Sequence, residues 1–435
     1  LRERDPDKRR FDMVVAEQVV LVAGTKVAAR LWDSEAWRPL VGSPREVTAL
    51  AVSGDGRRIA ASGCGAADCA SDTVGVWSAG DRSPVHRDLQ ELGERGVGLA
   101  FFAGDERLAA IGRDGGVVFW SMSSGTGTAG ARLPKLPEAL ALRAHGEAGL
   151  LAAIADRDGV VLWDVVAGAF VPRSFSGPSA PVHALAIDHK ATRLAAGHCL
   201  RPIVPIPGQV KDPYRKQKDC ARGGLYLWDL ANGAPIGGPA EGHDGAVTQL
   251  EFSPDGAHLL SVGEDGSVLQ WATANGLHEP RDREDGAGSA QTVAYTADGA
   301  VIATIGCGDE GCSSPEAELR LWQGDTLEAV GAATRGHSPL PREGALRPRR
   351  VAFAAGGAAL VSASADGVNL WDISIEGMRL RACSLAGRDL EAGEWKRQQA
   401  LGAGVPEICP KVPRPDALTD RDLLAPRKGH KRRGR

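Results

Sequence analysis

The sequence predicts an all-β fold assembled from one short antiparallel unit repeated along most of the chain, and three observations carry that prediction. The first is composition. Of 435 residues, 56 are Gly against 8 Phe and 3 Tyr, with 43% hydrophobic and 24% charged side chains, which describes a globular chain of small side chains and many tight turns. The second is a period. Trp32, Trp77, Trp120, Trp163, Trp228, Trp271, Trp322 and Trp371 each end a short aliphatic run, at successive spacings of 45, 43, 43, 65, 43, 51 and 49 residues. Self-similarity on that scale marks a repeat architecture, which also explains how so long a chain is organised without one outsized core. The third is turn chemistry: Ser253-Pro254-Asp255-Gly256 and Asp265-Gly266 supply the preset φ and the positive φ that hairpin turns need.

The clearest copy gives the elements in order. Gly242-His243 opens it, a first strand runs to the turn at Ser253, a second passes Ser261 to Asp265-Gly266, and a third ends at Trp271. The same turns recur in weaker form at Ser53 to Gly56, Thr296 to Gly299, Asp114-Gly115, Asp158-Gly159 and Asp366-Gly367. A fourth, outer strand is expected after each tryptophan, as at Ala234 to Gly237 before Gly242-His243.

This pattern resembles the WD-repeat β-propeller family. The Trp-Asp pair stands at Trp32-Asp33, Trp163-Asp164, Trp228-Asp229 and Trp371-Asp372, and is altered at Trp77-Ser78, Trp120-Ser121, Trp271-Ala272 and Trp322-Gln323. The resemblance implies a closed ring of four-stranded antiparallel blades over residues 11–382, since one such sheet cannot bury both faces alone. Counting tryptophans gives eight blades, with seven as the alternative. The polar lead-in 1–10 makes a poor strand, so the last blade is expected to take its outer strand from Met378 to Ala382. Residues 383–410 read as a capping helix resembling the element that closes bacterial WD-repeat arrays in multidomain signalling or defence proteins. On that resemblance, and on an opening Leu1 to Pro6 without signal-peptide features, an upstream effector domain is expected.

His243, Ser261 and Asp265 have the residue types of a nucleophilic triad. The family resemblance implies another role, a structural hydrogen-bonded tetrad of His243, Ser261, Asp265 and Trp271 within one blade. His337, Ser362, Asp366 and Trp371 repeat part of it. No glycine-rich phosphate loop ending in Lys-Ser/Thr and no His-Glu-x-x-His helix occurs. The reading is therefore a non-catalytic interaction or sensing scaffold without cofactor or metal. Its rivals are a propeller enzyme with acids or metal ligands in the central channel, and nucleic-acid binding through the tail.

Eight cysteines form local pairs: Cys64 with Cys69, Cys199 with Cys220, Cys307 with Cys312, and Cys383 with Cys409. Three pairs lie between the second and third strands of their repeats, so disulfides are sterically reasonable; free thiols and, less readily, zinc are the alternatives. Oxidised pairs place the chain in the periplasm or outside the cell, reduced ones in the cytoplasm. The insertion Leu200 to Gly224 accounts for the 65-residue spacing and carries Arg201, Lys211, Tyr214, Arg215, Lys216 and Lys218, which makes it the expected partner-contact loop. A second insertion, Ser338 to Arg350, is also arginine-rich. The tail 411–435 ends with six basic residues in nine, yet the formal net charge is -4, so no global field attracts nucleic acid or an anionic membrane. No apolar stretch reaches the roughly 20 residues of a bilayer span.

Overall fold

The computed structural model describes residues 37–373, except 41, 65–71, 90–91, 93–95, 134–138, 147, 157–158, 174, 178–181, 203–219, 278–279, 283–288, 308–316, 338–349, 355–356 and 365–366. The chain divides into two compact units, 27–375 and a second composed of 1–26 with 376–435. Trp32, the proposed cap at 383–410 with Cys383 and Cys409, and the tail 411–435 lie outside the described residues.

Twenty-eight strands form seven four-stranded antiparallel sheets, with no α-helix among the described residues. Blades 1 to 6 span 45–89, 96–129, 139–171, 182–243, 247–282 and 289–337, each in strand order from the inner strand outward. Blade 5 shows why these residues fold this way. Its inner strand Val247–Phe252 turns at Ser253, whose Oγ donates to Asp255 Oδ1 at 2.6 Å and accepts from the His258 N–H at 2.8 Å, while Gly256 takes φ +75°. Strands His258–Gly263 and Val268–Ala272 follow, paired so that Phe252, Leu259 and Trp271 lie in one row. The turn recurs in blades 1 and 6 with Ser53-Asp55 and Thr296-Asp298. A residue with a Cβ at Gly256 would be strained at that φ.

Packing between blades supplies the core. Seven separate clusters of buried side chains occupy seven blade-to-blade interfaces. In each, one tryptophan packs against the preceding blade: Trp120 on blade 1, for example, and Trp371 on blade 6. The seventh cluster joins Val361, Val368 and Leu370 of blade 7 to Val47, Ile59 and Trp77 of blade 1. Blades 7 and 1 are therefore neighbours, the ring is closed with seven blades, and the expectation of eight is corrected.

The expected outer strand of blade 7 is corrected too. Blade 7 consists of Arg350–Ala354, Ala359–Ser364, Gly367–Asp372 and, on its outer edge, Trp37–Pro39 from the start of the ring, with Trp37 opposite Trp371. Leu40 donates its N–H to the Val368 carbonyl and is 1% exposed, in the same cluster that joins blade 7 to blade 1. Hydrogen-bonded and non-bonded pairs alternate in an antiparallel ladder, so Pro39 falls at a position where no N–H is required. A three-residue edge strand containing proline is thereby tolerated.

Candidate functional site

His243 sits at the end of the outer strand Ala240–His243 of blade 4, yet its ring reaches into blade 5. Trp271 Nε1 donates to Ser261 Oγ at 2.8 Å, and Ser261 Oγ lies 2.6 Å from His243 Nε2. His243 Nδ1 lies 3.2 Å from Asp265 Oδ1 and 2.9 Å from Ser267 Oγ. With Nδ1 protonated, every polar atom of this chain is used in one direction, from indole to hydroxyl to imidazole to carboxylate. The sequence places the tetrad within one blade. The structure has it cross from blade 4 to blade 5, because the sequence repeat and the hydrogen-bonded sheet are offset by one strand.

The triad chemistry has no access. His243 and Ser261 are both 0% exposed, and the serine oxygen already accepts from an indole. Burial pushes the Asp265 carboxyl up, but hydrogen bonding to His243, the imidazole's charge, and the Ser267 hydroxyl and N–H outweigh it and hold it well below the usual carboxylate range. A depressed native pKa contributes stability above the unfolded value of 3.8, and that stability is lost as pH falls toward the native value. We expect Asp265→Asn to be less stable than the native chain at pH 7 and to show a flatter decline in acid, read by denaturant midpoints from pH 7 to 2.

The hydroxyl is graded around the ring. In the position of Ser261, two residues after the partner of the tryptophan, stand Thr304 in blade 6 and Ser362 in blade 7, which accept from Trp322 and Trp371 at 2.9 and 2.7 Å. Ala61, Ala110, Ile154 and Ala196 occupy it in blades 1 to 4. Trp228 instead donates to the Ser176 carbonyl at 2.9 Å, and Trp163 Nε1 is buried without a hydrogen-bond partner among the described residues. The side chains of His337 and Asp366 lie outside the described residues.

Cys199 and Cys220 form a disulfide with Cα atoms 5.6 Å apart. They do not face each other across the ladder as the sequence suggests. Cys199 is opposite Gly223 and Cys220 opposite Pro202, with two register shifts between them. Cys64 is also disulfide-bonded; Cys69, Cys312 and the side chain of Cys307 lie outside the described residues. The Cys199–Cys220 bridge packs on Ala246 of blade 5. It closes the root of the insertion, of which Lys211, Tyr214, Arg215, Lys216 and Lys218 are outside the described residues. Arg201 is exposed and lies 3.4 Å from Glu241, and exposed Arg222 pairs with Asp244 at 2.6 Å.

The sequence raises a central channel but assigns no residue to its lining. A cavity of about 250 Å³ is lined by inner strands and includes Arg143, Glu251 and Arg350 among Leu, Ala and Val side chains. Glu251 is the one carboxylate in that described lining. No group of three metal-ligating side chains occurs among the described residues. No helix of the described residues is long and apolar enough to cross a membrane.

Comparison with known proteins agrees with this geometry. Residues 239–272, which hold the tetrad, the outer strand of blade 4 and the first three strands of blade 5, match the WD40 profile, "WD domain, G-beta repeat". The β-propeller domain of Cps50 (Swd1) from Myceliophteria thermophila is similar in structure, with TM-score 0.56 and 16% identity, covering 78% of this chain and 100% of that one. The comparison with curated proteins gives no match. The chain thus carries a WD40 repeat and folds as a β-propeller, a class that points to protein-interaction scaffolding.

Proposed function

We propose that this propeller is a non-catalytic scaffold that binds a protein partner through the face bearing the blade 4 hairpin. One observation carries the reading. The strands Arg193–Pro202 and Cys220–Asp229 are ten residues each, the longest in the described ring, and the Cys199–Cys220 disulfide fixes the point where the basic insertion leaves them. A loop rooted on a rigid hairpin loses less conformational freedom on binding than a free one. Clustered lysine and arginine in it favour an acidic partner surface. The closed disulfide supports an oxidising compartment. Resemblance of the segment 383–410 to bacterial WD-repeat arrays supports a place within a larger signalling or defence protein.

Charge reversal tests the binding face. Changing Arg201, Lys211, Arg215, Lys216 and Lys218 to Glu is expected to lower capture of the partner set by at least tenfold in quantitative affinity purification, with thermal stability unchanged. Capture equal to that of the native chain would count against this face.

A further inference from the structure

Alignment of the seven inner strands by hydrogen-bond register singles out one residue. The inner-strand residue in the row of each blade's tryptophan is Val52, Phe101, Leu142, Ile187, Phe252, Tyr295 or Phe353. One position earlier stand Ala51, Ala100, Ala141, Ala186, Ala294 and Ala352, and in blade 5, Glu251. A ring of alanine is interrupted by a single carboxylate on the wall of the channel cavity. Burial pushes that carboxyl up to about 7, and the nearby Arg143 charge offsets only part of it. Ring packing is satisfied by alanine in the other six blades, so a charged residue that costs stability here calls for a reason other than folding.

Arg143 supplies the counterpart. It comes from the inner strand of blade 3, and its Nε and Nη2 donate to the Ile187 carbonyl of blade 4 at 3.3 and 3.1 Å. That leaves Nη1–H donors unused by this anchor. Glu251 and Arg143 line the same cavity, yet no ion pair within 4.0 Å joins them among the described residues. Arg350 lines the same cavity, so its wall carries two guanidinium groups and one carboxylate. Opposite charges on one wall favour a ligand that bears both, because Glu251 repels an anion alone and the two arginines repel a cation alone. Besides these charges and Phe252, the lining side chains are aliphatic, Leu99, Leu140 and Leu185 among them. The volume, about 250 Å³, lies below the usual range for drug-sized ligands, which leaves room for a small metabolite.

We propose that the channel binds a small zwitterion of the α-amino-acid class, its carboxylate on Arg143, its ammonium on Glu251 and an aliphatic side chain against the leucines. Such a ligand supplies a partner for Arg143 and for Glu251 and gives the ring a sensing function independent of the blade 4 face.

Calorimetric titration of the full chain with L-leucine, N-acetyl-L-leucine and L-leucinamide tests this. The native chain should bind leucine and bind the other two at least tenfold more weakly, because each lacks one charge. Glu251→Ala, which restores the alanine ring and should fold at least as stably, is expected to lose leucine tenfold or more and no longer to discriminate against N-acetyl-L-leucine. Arg143→Gln should lose leucine and N-acetyl-L-leucine but retain leucinamide. The proposal is overturned if leucine at millimolar concentration gives no binding, if all three probes bind equally, or if Glu251→Ala binds leucine as the native chain does.

Discussion

Ser261→Ala is expected to lower the unfolding free energy by about 2–4 kcal/mol, because it leaves two buried ring nitrogens without a partner and each such group costs roughly 1–3 kcal/mol. His243 and Trp271 are 0% and 1% exposed, so water does not replace the hydroxyl. Thr304→Val in blade 6 is the comparison. It preserves shape and removes one hydrogen bond, that from Trp322 Nε1, so a loss of about 1–2 kcal/mol is expected. Denaturant midpoints at unchanged m-value measure both. Equal effects at the two sites would show that the histidine adds nothing to the blade 5 chain.

Leu40→Asp is expected to have a larger effect, at least about 4 kcal/mol, since it places a carboxylate in the core shared by blades 7 and 1. Losing that anchor also frees Trp37–Pro39 from the edge of Gly367–Asp372. An open, flat strand edge invites pairing with another chain. The variant should therefore self-associate in a concentration-dependent way, visible by light scattering below its unfolding transition. Val166→Asp, at a position 38% exposed, should change stability by no more than about 0.5 kcal/mol. A monomeric, native-like Leu40→Asp would mean that the ring does not depend on this closure.

Much of this fold was legible in residues with a strong local physical role. Asp and Gly at turns, one indole per blade and the His243, Ser261, Asp265 and Trp271 spacing are visible without coordinates, because each acts within a hairpin or across one sheet boundary. Closure was not legible. Trp37-Arg38-Pro39 has neither the length nor the alternation of a strand, and its role depends on a partner more than 300 residues away. Counting tryptophans gave one blade too many because Trp32 has the same local pattern as the others, while the seven described blades carry Trp77, Trp120, Trp163, Trp228, Trp271, Trp322 and Trp371. The Cys199–Cys220 pairing was readable from spacing, but the two register shifts that bring the cysteines together carry no sequence signal. Glu251 has no distinguishing local signal; only register places it in a row of alanines.

The closed seven-bladed ring is tested most directly by a cross-strand bridge at its junction. Pro39 and Asn369 are opposite each other in a pair without ladder hydrogen bonds, where Cα atoms lie about 4.5 Å apart, near the short end of disulfide geometry. A chain carrying Pro39→Cys and Asn369→Cys is expected to form that bridge on mild oxidation while folded, detected by mass spectrometry of the linked peptides. Absence of the link, together with a bridge from Asn369→Cys to a cysteine placed by Leu380→Cys, would contradict closure by the N-terminal strand.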